Sequence, residues 1–193
     1  GAEAEIRKSG NEIEKMRIKK GYRIQELDER LRKRRAQLEA RLISEARRAG
    51  VKTPVVFSSD RFTIRMEYIE GRKVKDVLNE KNAGRLCAGI AEPAASLHNK
   101  GIIHGDLTTS NMILKNGEIY FIDFGLGCRS VRAEDKASDL YLLHEAFRSA
   151  HFDVSEKGWK TVLKVYREKS NDWNNISKAL KKIEKRRRYS KGD

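Results

Sequence analysis

Four side chains in two short segments of this chain have the types and spacing for phosphoryl chemistry. Ile102–Asn111 (IIHGDLTTSN) supplies His104, Asp106 and Asn111, and Tyr120–Gly125 (YFIDFG) supplies Asp123. A tight hairpin between the segments would return the chain and set Asp123 beside Asp106 and Asn111. Phosphoryl transfer asks a protein mainly to position reactants and neutralise charge. A carboxylate such as Asp123 is a hard oxygen ligand, suited to a magnesium ion that bridges nucleotide phosphates. Asn111 adds a neutral oxygen, which limits charge crowding, and Asp106 is then free to orient or deprotonate an attacking hydroxyl or water. Each aspartate alone reads as a turn or cap residue. The combination of His-x-Asp, an Asn five positions on and a following Asp-Phe-Gly points instead to phosphoryl transfer or ATP hydrolysis. His104 reads as a structural brace of its loop.

A cation for the phosphates must come from the strand-rich part of the chain. Lys15 lies in IEKMR, on a strand expected over residues 13–18, and its acidic partner should sit on the long helix that follows. Glu39, between Leu38 and Leu42, is close to that helix's apolar stripe, whereas Glu26 and Glu29 lie nearer its start. Burying a Lys–Glu pair costs desolvation, so the pair makes functional sense if both groups face a cleft. A surface lysine and a solvated glutamate are the plainer alternatives.

The elements that must position these groups are legible in outline. From Tyr22 to Ala49, Leu27, Leu31, Leu38, Leu42 and Ala46 recur at helical steps, with Gly50 and Pro54 as the stop. Residues 55–57 and 62–69 read as an antiparallel pair around Ser58-Ser59-Asp60, and Glu70-Gly71 then breaks the pattern as a hinge would. Residues 74–80 and 83–100 read as helices, the second kinked by Pro93. Asn116-Gly117 signals a two-residue hairpin between strands 112–114 and 119–122. Helical spacing returns over 136–150, 156–169 and 176–187. The expected class is α+β: a strand-rich first portion, a hinge near residue 70, and a helical second portion that holds the catalytic hairpin.

The chain has 193 residues, 38% hydrophobic and 36% charged, with a net charge of +14. Its apolar runs are too short to span a bilayer, and no signal segment opens it. Cys87 and Cys128 make neither a disulfide framework nor a zinc pattern, which fits a reducing, cytoplasmic setting. The positive field favours nucleic acid, acidic proteins or anionic membrane. Arg30, Arg32, Lys33, Arg34, Arg35 and Arg41 lie on the polar side of the long helix, as a solvated face or a nucleic-acid surface. Lys182, Lys185, Arg186, Arg187 and Arg188 crowd the C-terminus near Tyr189, either as a solvated helix end or as a grip on phosphates.

HGDLTTSN, FIDFGLG, EDKASDLYLL, the opening GAEA, KMRIKKGYR and LEARL together resemble the small atypical kinase/ATPase subunit of the KEOPS complex, a family related to RIO kinases. The resemblance covers nearly the whole chain. It implies a single two-lobed protein-kinase-like domain over 1–193, with a reduced strand-rich N-lobe (1–70) and a small helical C-lobe (71–193). It implies ATP and Mg2+ as cofactors, Lys15 as the phosphate-binding lysine, Glu39 as its helix partner, Asp106 as the catalytic acid/base, and Asn111 and Asp123 as metal ligands. Gly1, Ala2 and Glu3 resemble the remnant of a phosphate-covering loop, so an upstream strand is expected before Gly1. Glu67 and Ile69 fall where the family's hinge offers backbone groups to adenine, and Asp139 resembles the buried aspartate that braces the catalytic loop.

The implied partners are the threonylcarbamoyl-transferase subunit, a small regulatory subunit and transfer RNA, the last through the basic tail and helix face. No membrane is implied. The pattern departs from ordinary protein kinases at Gly105, where an Arg reads a phosphorylated activation loop, and at Thr108, where a Lys steadies the transferred phosphoryl group. Sixteen positions separate Asp123 from Asp139, which leaves little chain for a peptide platform. The competing readings are a dedicated RIO-like protein kinase, a small-molecule phosphotransferase of the aminoglycoside or choline kinase type, and an RNA-binding scaffold with a vestigial nucleotide site.

Overall fold

A computed structural model of the chain describes residues 3–189, with side chains to 187. Its first layer is an antiparallel sheet in the order β1-β2-β4-β3, built from β1 (Ala4–Ser9), β2 (Glu12–Arg17), β3 (Val56–Ser59) and β4 (Thr63–Glu67). Helix α1 (Gln25–Arg48) crosses the inner face of that sheet and buries Ala36, Glu39, Ala40, Leu42, Ile43 and Ala46. Strand side chains alternate between faces, so Ile13, Lys15 and Arg17 of β2 share one face. Lys15 and Arg17 are buried there. In register, Lys15 stands opposite Ile6 of β1 and Ile64 of β4. Gly50 closes α1: its N–H bonds to Arg47 O at 3.0 Å and Val51 N–H to Ala46 O at 3.1 Å, which satisfies two end carbonyls.

Strand β1 is not among the expected elements. Only Ala4 of its six residues is buried, so its sequence carries no apolar alternation to read. The helix expected over 74–80 is a single turn, α2 (Val74–Val77). Just before it, Gly71 packs against the next hairpin, where a Cβ would stand 2.5 Å from Leu114 O. β5 (Arg72–Lys73) then pairs with β7 (Met112–Lys115), so this stretch is bound to the hairpin rather than loose.

The second layer is helical. α3 (Ala83–Asn99) runs through Pro93 and buries Leu86, Cys87, Ile90, Ala91, Ala94, Ala95 and Leu97. It packs on α5 (Ser155–Lys169), while α4 (Ala133–Ala150) packs on α6 (Trp173–Tyr189). β7 and β8 (Glu118–Phe121) form the expected hairpin, with Asn116 at φ 51° and Gly117 at φ 82°. Two successive left-handed residues are what a twist-matched two-residue turn requires, and Asn-Gly supplies them at the least cost. β6 (Ile102–Ile103) pairs with β9 (Cys128–Arg129), tying the approach to Asp106 to the chain just beyond Asp123. The architecture is α+β, with the sheet and α1 on one side of a cleft and the helices and hairpin on the other.

Candidate active site

The hairpin brings the sequence-distant acids together. A 3-10 turn at Thr109–Asn111 leads into β7, and Asp123 follows β8 on the return. Asn111 Nδ2 donates to Asp106 Oδ2 at 2.7 Å and to Asp106 O at 3.0 Å, which commits its amide nitrogen and turns its carbonyl oxygen away. Asp123 sits at φ 60°, a left-handed conformation that aspartate tolerates better than most side chains. Its Oδ1 accepts from Lys15 Nζ at 2.7 Å and from Gly125 N–H at 3.2 Å. Asp106 Oδ1, Asn111 Oδ1 and Asp123 Oδ2 therefore take no hydrogen bond from the described residues. Burial opposes ionisation of Asp123, but the charge and hydrogen bond of Lys15 outweigh it, and the carboxyl is held below its ordinary range.

On the opposite wall, Lys15 Nζ also donates to Glu39 Oε1 at 2.6 Å. Lys15 and Glu39 are 8% and 1% exposed, so Lys15 is no surface lysine, and of the helix acids Glu39 is the one it meets. Arg17 takes the second oxygen of Glu39 at 2.5 Å. Glu3, at the entry to β1, pairs with Arg35 of α1 at 2.8 Å and approaches Arg17 at 4.0 Å. Glu3, Lys15, Arg17, Asp106 and Asp123 line one cleft of about 240 Å³. A larger groove of about 1130 Å³, along α4 and α5, includes none of these residues. The expected site residues Gly1 and Ala2 lie outside the described residues. Glu67 ends β4, where its carboxylate accepts Val55 N–H at 3.2 Å, and Ile69 is buried.

Below the cleft, the loop bearing Asp106 hangs from α4. Asp139 accepts His104 N–H at 2.6 Å on Oδ2 and Gly105 N–H at 2.8 Å on Oδ1. His98 Nε2 lies 3.2 Å from the same Oδ2 and must donate to it, which leaves Nδ1 to accept the Tyr166 hydroxyl at 2.6 Å. His104 Nδ1 accepts Asp106 N–H at 3.3 Å, so its proton is on Nε2, which donates to Ile122 O at 3.1 Å. Burial drives the His104 imidazole below its ordinary range, against the pull of Asp139. The ring packs on Phe124 with centroids 4.5 Å apart. His104 thus joins the Asp106 loop to the strand carrying Asp123 as a neutral linker.

The departure at Gly105 has a steric cause. Its φ is +81°, and a Cβ there would lie 2.2 Å from Leu126 O, so the backbone after Asp123 occupies the space that an arginine side chain would need. Three residues of this assembly are given no role by the sequence reading: Arg17, His98 and Tyr166. Arg17 alone had a readable signal, because it lies two positions from Lys15 on the same strand face.

The cations divide into paired and open sets. Arg32 pairs with Asp28 and lies 3.9 Å over the Phe62 ring, Arg35 pairs with Glu3, and Arg41 pairs with Glu45. Arg30, Lys33 and Arg34 are exposed and make no ion pair among the described residues. Lys182, Lys185, Arg186 and Arg187 are exposed on α6, with Arg186 3.4 Å from Glu134, and the Arg188 side chain lies outside the described residues. No helix among the described residues is long and apolar enough to cross a membrane.

The RIO domain family matches residues 6–144. This chain belongs to the RIO domain family. This RIO domain is 43% identical over 184 residues to the KEOPS complex subunit Bud32 of Pyrococcus abyssi, covering 92% of this chain and 84% of that protein. It is 42% identical to a probable serine/threonine-protein kinase BUD32 homolog of Archaeoglobus fulgidus, covering 98% and 94%. A probable bifunctional tRNA threonylcarbamoyladenosine biosynthesis protein of Methanobrevibacter smithii is 41% identical, and there the match covers 98% of this chain but 36% of the longer protein. Among solved structures, the Rio2 kinase of Chaetomium thermophilum in its ADP/Mg2+–phosphoaspartate complex superposes with a TM-score of 0.61 at 15% identity, over 96% of this chain and 70% of that one. That likeness establishes the protein-kinase-like fold.

Proposed function

We propose that this RIO domain is a magnesium-dependent ATPase with atypical serine/threonine kinase chemistry, serving a KEOPS-type complex that installs threonylcarbamoyl on adenosine of transfer RNA. One observation carries the reading: Asp106, Asn111 and Asp123 each keep a side-chain oxygen that takes no hydrogen bond from the described residues, and Asp106 and Asp123 line a small cleft together with the buried cation of Lys15. Asn111 and Asp123 offer two hard oxygen ligands, and a magnesium ion held there would take its other ligands from phosphates and water. Such an ion would supply positive charge to offset that of the phosphates. Lys15, steadied by Glu39, would give up Asp123 and bind phosphate oxygens. Asp106, fixed by Asn111, would orient the attacking water or hydroxyl, with His104 and Asp139 holding its loop. Gly1, Ala2 and Glu3 would cover the phosphates, and the backbone of Glu67 and Ile69 would meet adenine. The two lobes would divide near residue 70.

α4 begins at Ala133, ten positions beyond Asp123, and β9 occupies part of that interval, so a peptide has little surface on which to lie. This favours hydrolysis, or transfer to a dedicated acceptor, over general protein phosphorylation. The names of relatives, a KEOPS complex subunit and a tRNA threonylcarbamoyladenosine biosynthesis protein, support a place in such a complex. Its partners there would be a transferase subunit, a small regulatory subunit and transfer RNA, the last gripped by Lys182, Lys185, Arg186, Arg187 and Arg188 together with the open cations of α1, and its setting the cytoplasm. The deciding experiment measures phosphate release from Mg-ATP by the chain alone, with transfer RNA, and with the transferase partner. Stimulation of about tenfold or more, equivalent to ~1.4 kcal/mol of barrier, is expected with both added. Phosphate appearing on the partner protein faster than in water would favour a dedicated kinase instead, and no turnover in any mixture would defeat both.

A further inference from the structure

Strand β2 turns two cations toward α1, and the chemistry above uses one of them. Arg17 is as deeply placed as Lys15, with side chains 4% and 8% exposed. The two divide Glu39 between them: Lys15 Nζ holds Oε1 at 2.6 Å and Arg17 Nη2 holds Oε2 at 2.5 Å. Arg17 Nη1 lies 4.0 Å from Glu3 Oε2, at the entry to β1. Its Nε is buried with no hydrogen-bond partner among the described residues. Arg17 Nη2 and Asp123 Oδ1 each lie 3.0 Å from the point where a Cβ on Gly125 would stand, and Glu39 Oε2 lies 3.5 Å from it. The guanidinium is therefore wedged between the helix acid and the turn after Asp123, in the wall of the phosphate cleft.

A buried carboxylate that loses its partner is strongly destabilised. Lys15 is shared between Glu39 and Asp123, and on nucleotide binding part of its charge must move to the phosphates. With Lys15 alone, that movement would weaken the hold on Glu39, and with it the docking of α1. A guanidinium on the second oxygen keeps a charge-assisted bond in place throughout, in a planar geometry that lysine does not reproduce.

We propose that Arg17 is a positioning residue for nucleotide binding, which anchors Glu39 and α1 to the sheet so that Lys15 is free to engage the phosphates. It acts through Glu39 and does not touch the nucleotide. The inference rests on the nucleotide reading of the cleft.

The test is a double-mutant cycle on Mg-ATP affinity, read by calorimetry, with KM and kcat measured alongside. Arg17→Gln should weaken Mg-ATP binding about tenfold, the loss expected for a charge-assisted hydrogen bond. Arg17→Lys, which keeps the charge without the planar fork, should recover only part of that loss and leave binding about threefold weaker. On a Glu39→Gln background, Arg17→Gln should add less than about twofold, because the residue through which it acts is already neutral. Binding by Arg17→Gln within about twofold of the unmodified protein would overturn the proposal, and so would a full tenfold loss retained on Glu39→Gln, since either breaks the coupling. If Arg17→Gln does not fold, Arg17→Lys and its pairing with Glu39→Gln carry the same cycle. Failure of both Arg17 variants to fold would make Arg17 a stability residue and end the proposal. Absence of Mg-ATP binding by the unmodified protein would instead defeat the nucleotide reading, and binding without turnover would defeat only the ATPase step.

Discussion

The two sides of the cleft are held together by different forces. Above it, Lys15, Arg17, Glu39 and Asp123 form a chain of ion pairs between β2, α1 and the turn after Asp123. Below it, Asp139 grips two backbone N–H groups and His98, and His98 in turn meets Tyr166. Charges that balance one another can be redistributed when a charged ligand arrives. A carboxylate bonded to backbone amides in a closed interior has nowhere else to go. The upper side is therefore built to rearrange and the lower side to stay fixed, which suits a site where nucleotide phosphates enter over a stationary Asp106.

The sharpest way to break that contrast is Asp139→Ala. It strands two buried N–H groups and a histidine, and should cost roughly 3–5 kcal/mol of folding stability, measured by urea unfolding. A cost below about 1 kcal/mol would show the lower side to be loosely held. Gly105→Ala comes next, because the residue combines a left-handed backbone with the overlap at Leu126. A loss of about 2–3 kcal/mol in the same assay is expected. Tyr166→Phe removes a single hydrogen bond at the far end of the network and should cost about 1 kcal/mol, with ATP turnover preserved.

The smallest effect is a pH slope. Burial holds His104, His144 and His151 below the ordinary imidazole range. Above an unfolded pKa of about 6.5, both states are neutral and the histidines contribute no pH dependence. Below it, the unfolded chain takes up protons that the fold refuses, so stability should decline as the pH drops from about 7 toward 5. Asp123, depressed in the fold, acts in a lower window: its contribution is present above about 3.9 and is lost only as the pH falls through the folded value. Unfolding midpoints that stay flat between about pH 7 and 5 would contradict the assignment of buried neutral histidines.

Much of the upper side is legible in the sequence, because its residues sit in periodic elements. Glu39 falls beside the apolar stripe of α1, and across the cleft Asn116-Gly117 all but dictates the hairpin that returns Asp123 to Asp106. Arg17 is harder to read, since a second cation on a strand reads as solvent-facing until the register shows both on the inner face. The lower side is mostly silent. His98 and Tyr166 lie 68 positions apart and meet only because α3 packs on α5. β1 is silent for another reason: five of its six residues are exposed at the edge of the sheet, so pairing with β2 rather than burial defines it.

The central claim is that Asp123 exchanges Lys15 for a magnesium ion when nucleotide binds. Phosphate release from ATP, with and without magnesium, compared between the unmodified protein and Asp123→Asn, tests it most directly. Asparagine tolerates the left-handed backbone at this position, so the variant should fold, with a modest loss of thermal stability from the lost Lys15 ion pair. Magnesium-dependent turnover is expected to fall at least about a hundredfold, or ~2.7 kcal/mol. Turnover by Asp123→Asn within about threefold of the unmodified protein, or turnover indifferent to magnesium, would contradict the account.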